Sequence, residues 1–393
     1  MIVDAIFGIG LSRPIDVWVK KLLQHINKTK AFVISIDVPS GLYANRASED
    51  LDAIVYANAC LTFQSPKLAF FLPETAKFVQ DIEVLNIGLD QEFLQQLQTG
   101  IKLIGKQEIL TSYRPRHKFS HKGSYGHALI IGGSKGKIGS VVLASKGCFR
   151  AGVGLVTALA PQCGQNIIHT SIPEVMTEEC DGENFITNFE YSASANVICV
   201  GVGMDKNPKT LKAFNNFLTT NKLPLVLDAD ALNLLSENKE LLDLLPKKTV
   251  LTPHPKELER LIGEWENDFD KLEKTKAFSE KYDCIVLIKG AHSITVYKQN
   301  IYINTTGNPG MATAGTGDVL SGVISAFIAQ GYNPLIATVF GAYLHGSAAD
   351  IALNDLGYQS MMATDILDNF GKAFMELFKR EAPPQQNQQQ AKL

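Results

Sequence analysis

Five short apolar runs constrain this chain more than any other feature. ALIIGGSKG, VICVGVGMD, LVLDADALN, VLTPHPKE and IVLIKGAHS, all beyond residue 127, stop at Gly, Asp or a Pro-His pair. Helical stretches such as KTLKAFNNFLTT and NDFDKLEKTKAFSEKY lie between several of them. Strands apolar on both faces, alternating with helices, predict an α/β fold whose mostly parallel sheet is covered on both sides. Ligands on such sheets bind beyond the carboxyl ends of the strands. The polar residues here gather at those ends.

Bulk properties narrow the class. A chain of 393 residues predicts two domains, and 45% hydrophobic with 20% charged residues suffices for packed cores. A formal net charge of −3 argues against a general nucleic-acid binder. The six cysteines (60, 148, 163, 180, 199 and 284) form no CxxC and no metal-ligand spacing, which fits a reducing cytoplasm. No apolar run approaches the roughly 18–20 residues of a membrane span, and no signal peptide is legible. The expectation is a cytoplasmic protein with no membrane or nucleic-acid partner.

The first domain reads as residues 1–104. MIVDAIFGIGL begins inside a strand pattern, AFVISIDVPSGL repeats its grammar, and ACLTF and DIEVLNIGL predict two further strands. A domain that starts in mid-strand is expected to lack its first half. Residues 98–122, with the basic SYRPRHKFSHKGS, predict a connection to a second domain over 105–381. The tail 382–393, APPQQNQQQAKL, predicts disorder.

The strongest chemical signal is NPGMATAGTGDVLSG, residues 308–322. Val319, Leu320, Val323, Ile324, Phe327 and Ile328 recur at helical spacing, and Gly331 with Pro334 supplies stop signals. The glycines therefore lie at a helix N-terminus, where free N–H groups attract anions. Asp318 is then either a cap or a general base beside a transferring phosphoryl group. GGSKGKIGS lacks the spacing of a Walker loop.

Other strand ends carry alternatives. Lys289, in KGAHS, is a solvated edge charge or a nucleotide contact, with Gly290 allowing a tight turn. His254 sits between two prolines as a turn residue or a substrate contact on a stiff loop. Asp228 and Asp230 suit a magnesium or its water shell, or Asp230 caps a helix. Gly201 and Gly203, and Gly139 and Ser140, are glycine turns after strands. His117 and His121 lack the companions of a metal site and are linker histidines or substrate-facing side chains.

Taken together, HKGSYGHALIIGGS, RAGVGLVT, LDADALN, TPHPKELERL, IKGAHS and NPGMATAGTGDVLSG closely resemble the NAD(P)H-hydrate dehydratase family in motif order. VDAIFGIGLSRPI and SIDVPSGL resemble the second half of the NAD(P)H-hydrate epimerase domain, which many bacteria fuse ahead of the dehydratase. The resemblance implies a ribokinase-like three-layer sandwich preceded by a partial Rossmann-like epimerase domain. It implies ADP-dependent dehydration of hydrated NADH or NADPH, through phosphorylation of the C6 hydroxyl and loss of phosphate. ADP is the implied donor, with ATP the alternative, and Mg2+ accompanies it.

By motif match, Asp318 is the base and Gly317 touches the nucleotide. Lys289, Gly290, Ala291, His292 and Ser293 hold its AMP part. Ser140, Gly203, His254 and Asp318 contact the hydrated substrate, although the family more often has Ala at position 140. In the epimerase part, Asp4 and Ser40 match a potassium site. Gly8, Ile9, Gly10, Leu11, Ser12, Arg13 and Pro14, with Asp37, match the substrate-binding segment. The family's phosphate loop should precede Asp4, so little epimerase activity is expected. The resemblance allows a homo-oligomer, but no interface is legible. The alternatives are a small-molecule kinase of the same fold and a non-catalytic nucleotide-binding remnant.

Overall fold

The computed structural model describes residues 1–97 and 99–379. The strands, in chain order, are β1 (Ile2–Asp4), β2 (Val33–Ile36), β3 (Ala57–Phe63), β4 (Val79–Leu85), β5 (Ile101–Ile104), β6 (His127–Ile131) and β7 (Leu155–Ala160). They continue as β8 (Met176–Glu179), β9 (Val197–Val200), β10 (Leu225–Leu227), β11 (Val250–Leu251), β12 (Ile285–Ile288), β13 (Ile294–Tyr297) and β14 (Asn300–Asn304). All five apolar runs contain a strand, and each strand stops at the residue where the polar motif begins. The chain divides into two compact units, one of Met1–Leu103 with Leu211–Asn304, the other of Ile104–Thr210 with Thr305 onward.

The first unit holds two sets of strands. β1-β2-β3-β4 is a parallel sheet, with Ile2 opposite Val33, Ile34 opposite Ala59 and Ala57 opposite Val79. Helix Val17–Lys28 buries Val19, Leu23 and Ile26 against Val33 and Val55. That crossover from β1 to a parallel β2 fits the Rossmann-like reading, and it brings Asp4 and Asp37 to neighbouring strand ends. The other set runs in the order β14-β13-β12-β11-β10. β10, β11 and β12 are parallel, as the apolar runs predict. β13 and β14 instead form an antiparallel hairpin on β12, turning at Lys298 with φ 53°. The signal was present in SITVYKQNIYIN, whose β-branched and aromatic residues flank a short polar turn.

In the second unit, β9-β6-β7-β8 is parallel throughout. Helices Ile138–Arg150 and Thr316–Ala329 pack with almost no space between their backbones. A Cβ on Gly322 would come within 1.9 Å of the Ala144 carbonyl oxygen, and one on Gly147 within 2.5 Å of that of Val319. Small residues are what let these helices meet.

Helix Pro334–Leu356 corrects the sequence reading in one respect. Its 23 residues are long and apolar enough, by composition, to cross a membrane. Of its most apolar window 67% is buried inside the protein, with Phe340 stacked on Phe327 at 4.5 Å. That is the burial of a core helix. The predicted tail 382–393 and the end of the 105–381 domain lie outside the described residues.

Candidate active site

In the second unit, the helix expected after the glycine-rich segment is present. Helix Thr316–Ala329 begins after Gly315, whose φ of 90° is left-handed, with no side chain capping it. The N–H groups of its first turn are therefore without helical acceptors. Asp318 lies in that turn, three residues past the Gly315 cap position. The preceding loop is fastened from afar. Gly307 N–H and the Asn308 amide both donate to Asp350, each at 2.9 Å. Thr316 Oγ1 donates to the carbonyls of Met311 and Thr313, each at 3.1 Å. Sequence reading missed Asp350, although an acid inside an otherwise apolar helix was a signal.

Ser140 and Gly203, predicted as substrate contacts, are neighbours in the same unit. Gly203 has φ 59°, and a Cβ there would lie 3.1 Å from Ser140 Cβ and 2.7 Å from the Lys137 carbonyl. Ser134 Oγ donates to the Gly203 carbonyl at 2.9 Å. Glycine is needed at 203 for both conformation and space. The pair gives a floor of backbone and small side chains at the start of helix Ile138–Arg150.

In the first unit, the ends of β10, β11 and β12 gather Asp228, His254, Glu257 and Lys289. Lys289 Nζ lies 2.8 Å from Asp228 and 3.9 Å from Glu257. Burial pushes the Glu257 carboxyl up, and the Lys289 cation opposes that shift. Asp228, read with Asp230 as suited to magnesium, is engaged here by a cation, Lys289. Ala229 is the cap position before Asp230, with φ 47°, so Asp230 does not cap its own helix. Among the described residues, no group of three or more His, Cys, Asp and Glu could hold a metal.

His254 is the N-cap of helix Pro255–Ile262. Its Nδ1 accepts from the N–H groups of Lys256 at 3.2 Å and Glu257 at 3.4 Å, and Glu257 Oε2 accepts from the His254 N–H at 2.9 Å. Nδ1 must be unprotonated to accept, which places the ring proton on Nε2, 3.4 Å from Glu257 Oε1. Burial, then the charges of Lys289 and Arg260, hold this imidazole below its usual value of 6.5. The ring is therefore neutral near pH 7, and the His254 side chain is 46% exposed.

Residues 289–293 leave the end of β12 as an open turn, with Gly290 and Ala291 exposed. Gly290 keeps an ordinary φ, and a Cβ there would meet only the His292 carbonyl at 3.6 Å. The tight turn expected of Gly290 therefore does not depend on glycine. His292 Nδ1 donates to the Asn304 carbonyl at 3.1 Å, and Ser293 accepts from the Asn304 N–H at 2.9 Å. The antiparallel hairpin missed from sequence is what supplies Asn304.

The N-terminal residues also assemble. Asp4, 1% exposed, accepts from Ser35 Oγ at 2.8 Å, Ser40 N–H at 2.8 Å and Ser40 Oγ at 2.5 Å. The Phe7 carbonyl lies 3.4 Å from Ser40 Oγ. Carboxylate, hydroxyl and carbonyl together make an all-oxygen donor set, the kind that hard cations take. Asp37, at φ 66°, pairs with Lys67 at 3.0 Å and accepts from the Phe63 N–H at 3.1 Å. Burial pushes its carboxyl up, but those two partners outweigh it and hold the group below 3.8. Gly8 faces this carboxylate, since a Cβ there would lie 3.9 Å from Asp37 Oδ2. Arg46 ties the segment down by donating to the Ser12 carbonyl at 2.8 Å. Ser35, Lys67 and Arg46 went unnoticed in the sequence because nothing local marks them. The cysteines form no disulfide, and burial drives the thiols of Cys60 and Cys284 up to about 12, far from nucleophilic use.

Comparison with known proteins gives a consistent set. A family described as NAD(P)H-hydrate dehydratase matches residues 128–372, and one described as YjeF-related protein N-terminus matches residues 1–69. The bifunctional NAD(P)H-hydrate repair enzyme of Moorella thermoacetica is 34% identical over 379 residues, covering 94% of this chain and 71% of the relative. That of Escherichia coli is 32% identical, covering 93% and 70%. Among solved structures, a ribokinase-like superfamily protein from Enterococcus faecalis superposes with a TM-score of 0.62 at 24% identity, covering 72% of this chain and 98% of that one. The ADP/ATP-dependent NAD(P)H-hydrate dehydratase of Bacillus subtilis, crystallised with ATP and Mg2+, gives 0.61 at 24% identity, covering 71% and 100%. These structures bear on the fold, which is ribokinase-like.

Proposed function

This chain belongs to the bifunctional NAD(P)H-hydrate repair enzymes, and from that premise we propose that it returns hydrated NADH or NADPH to the working cofactor by nucleotide-dependent dehydration. Asp318 takes the proton from the C6 hydroxyl, and that oxygen attacks the terminal phosphoryl group of ADP or ATP. The N–H groups of the first turn after Gly315 stabilise the charge on the phosphoryl group in transfer. The ring nitrogen then expels phosphate from C6, a proton leaves C5, and the dihydropyridine is restored. With ADP as donor, the products are the reduced cofactor, AMP and inorganic phosphate.

Other residues bind. Gly317 contacts the nucleotide, and Lys289, Gly290, Ala291, His292 and Ser293 hold its AMP part. Ser140, Gly203 and His254 contact the hydrated nicotinamide nucleotide, the neutral His254 offering Nε2–H as a donor. Mg2+ would accompany the nucleotide as its counter-ion. In residues 1–104, the oxygens of Asp4, Ser40 and Phe7 would hold K+ beside the segment of Gly8 to Pro14 and Asp37, supplying positive charge for substrate phosphate.

The observation that carries the reading is Asp318 in the uncapped first turn after a left-handed glycine, within the matched dehydratase region. The test is incubation with hydrated NADH and either ADP or ATP, following dihydronicotinamide absorbance. Recovery is expected in parent protein, and Asp318→Asn should lower kcat by about a hundredfold or more, the scale of a lost general base. A stable phosphorylated product would identify a small-molecule kinase instead. Turnover that survives the exchange would remove Asp318 from its role.

A further inference from the structure

The N-terminal sheet and the 289–293 turn belong to the same compact unit, and an aromatic contact joins them. The short turn Leu68–Phe71 follows β3. Phe70 is buried in the N-terminal core with Val38, Leu42, Ile54 and Phe78. Phe71, packed on the same cluster, points its ring at His292. The centroids are 5.1 Å apart and the planes 85° to one another, the edge-to-face geometry that aromatic rings prefer. On its other side, His292 donates through Nδ1 to the Asn304 carbonyl at 3.1 Å. A carbonyl only accepts, so Nδ1 carries the proton, and in the neutral ring Nε2 is left as an acceptor with a fixed direction.

The junction beneath this contact is built rather than incidental. Glu74 N–H donates to Asp268 Oδ2 at 2.8 Å, and Asp268 N–H returns a bond to Glu74 Oε2 at 3.0 Å. Asp268 is 4% exposed and also pairs with Lys271. Phe269, one residue on, packs against the N-terminal cluster itself. Residues 68–76 are therefore held to the start of helix Asp268–Tyr282 by reciprocal bonds and a shared core. The backbone that carries Phe71 is thus anchored within the same core.

We propose that Phe71 is a positioning residue for the donor nucleotide: the epimerase-like part of the chain fixes the His292 imidazole in the nucleotide turn of the dehydratase part. This rests on reading residues 289–293 as the nucleotide-binding turn. The two parts are then coupled through nucleotide affinity, although Phe71 itself touches no substrate.

The experiment uses the full chain and steady-state kinetics with ADP or ATP varied at saturating hydrate, then the reverse. Phe71→Leu keeps apolar bulk and removes the ring. It should raise the nucleotide KM about three- to tenfold, the range an aromatic pair supports, with kcat and the hydrate KM changed less than about twofold. Phe71→Tyr keeps the ring and should restore the parent KM. The His292 ring-proton resonances, shifted by the Phe71 ring, should move in Phe71→Leu and not in Phe71→Tyr. An unchanged nucleotide KM in Phe71→Leu, or a fall in kcat alone, overturns the coupling while His292→Ala still raises that KM. If His292→Ala also leaves the nucleotide KM unmoved, the nucleotide-turn reading fails and the coupling falls with it.

Discussion

At the scale of single residues, His254 combines two jobs that the sequence had offered as alternatives. It caps a helix through Nδ1 and carries its proton on Nε2, 3.4 Å from Glu257 Oε1, so its protonation state is set by structure before any substrate arrives. Its folded pKa lies below the unfolded value of 6.5. A histidine shifted in that direction adds stability that is present above pH 6.5 and lost as pH falls through the lower folded value. Protonated Nδ1 cannot accept, so the cap fails in the same window. The melting temperature should therefore decline from pH 6.5 downward, and His254→Asn, which keeps a cap acceptor without titrating there, should flatten that decline. A parallel decline in parent and variant would show that another group sets it. Most site residues at this scale were legible, because Gly, Asp, His and Lys at the tips of apolar runs announce themselves. Asp350, Lys67 and Asn304 were not, since each acts through a bond to a residue far along the chain.

Secondary-structure elements were legible where periodicity was long or the boundary was chemical. KTLKAFNNFLTT falls within helix Pro208–Thr220, and NDFDKLEKTKAFSEKY contains helix Asp268–Tyr282, to within one residue at each end. The helix that opens within AGTGD begins at Thr316 and ends at Ala329, before the glycine and proline read as stops. The β13–β14 hairpin escaped because its neighbours impose a parallel grammar that a tight polar turn interrupts. Element packing gives a sharp expectation. Gly322→Ala drives a methyl into the Ala144 carbonyl and must part the two helices, which should cost about 3 kcal/mol or more. Because Asp318 rides on the same helix, kcat should fall as well. Gly139→Ala, where a Cβ meets nothing within 4 Å, should change stability by less than about 0.5 kcal/mol. Denaturant unfolding and turnover of the two variants check this, and equal losses would discredit the close-packing argument.

At the scale of the whole molecule, the chain's order in sequence and its grouping in space differ. Residues 211–304 share a compact unit with the N-terminal sheet rather than with their sequence neighbours on either side. The Glu74–Asp268 bonds, 194 residues apart, are part of what joins them. Glu74→Ala should therefore speed amide exchange both at residues 68–76 and in the first turn of helix Asp268–Tyr282, because one opening exposes both. Exchange that quickens at only one of the two would mean that they open independently. The amino-acid sequence alone determined where strands end, where the helix carrying Asp318 begins and which family the motif order indicates, because these depend on side-chain periodicity and glycine stereochemistry within about ten residues. Only the tertiary structure decided that Lys289 neutralises Asp228 across 61 residues, that Asp350 fastens the loop before Asp318, and that Phe71 faces His292. Such partners are chosen by how sheets and helices close on one another, and no local pattern records that choice.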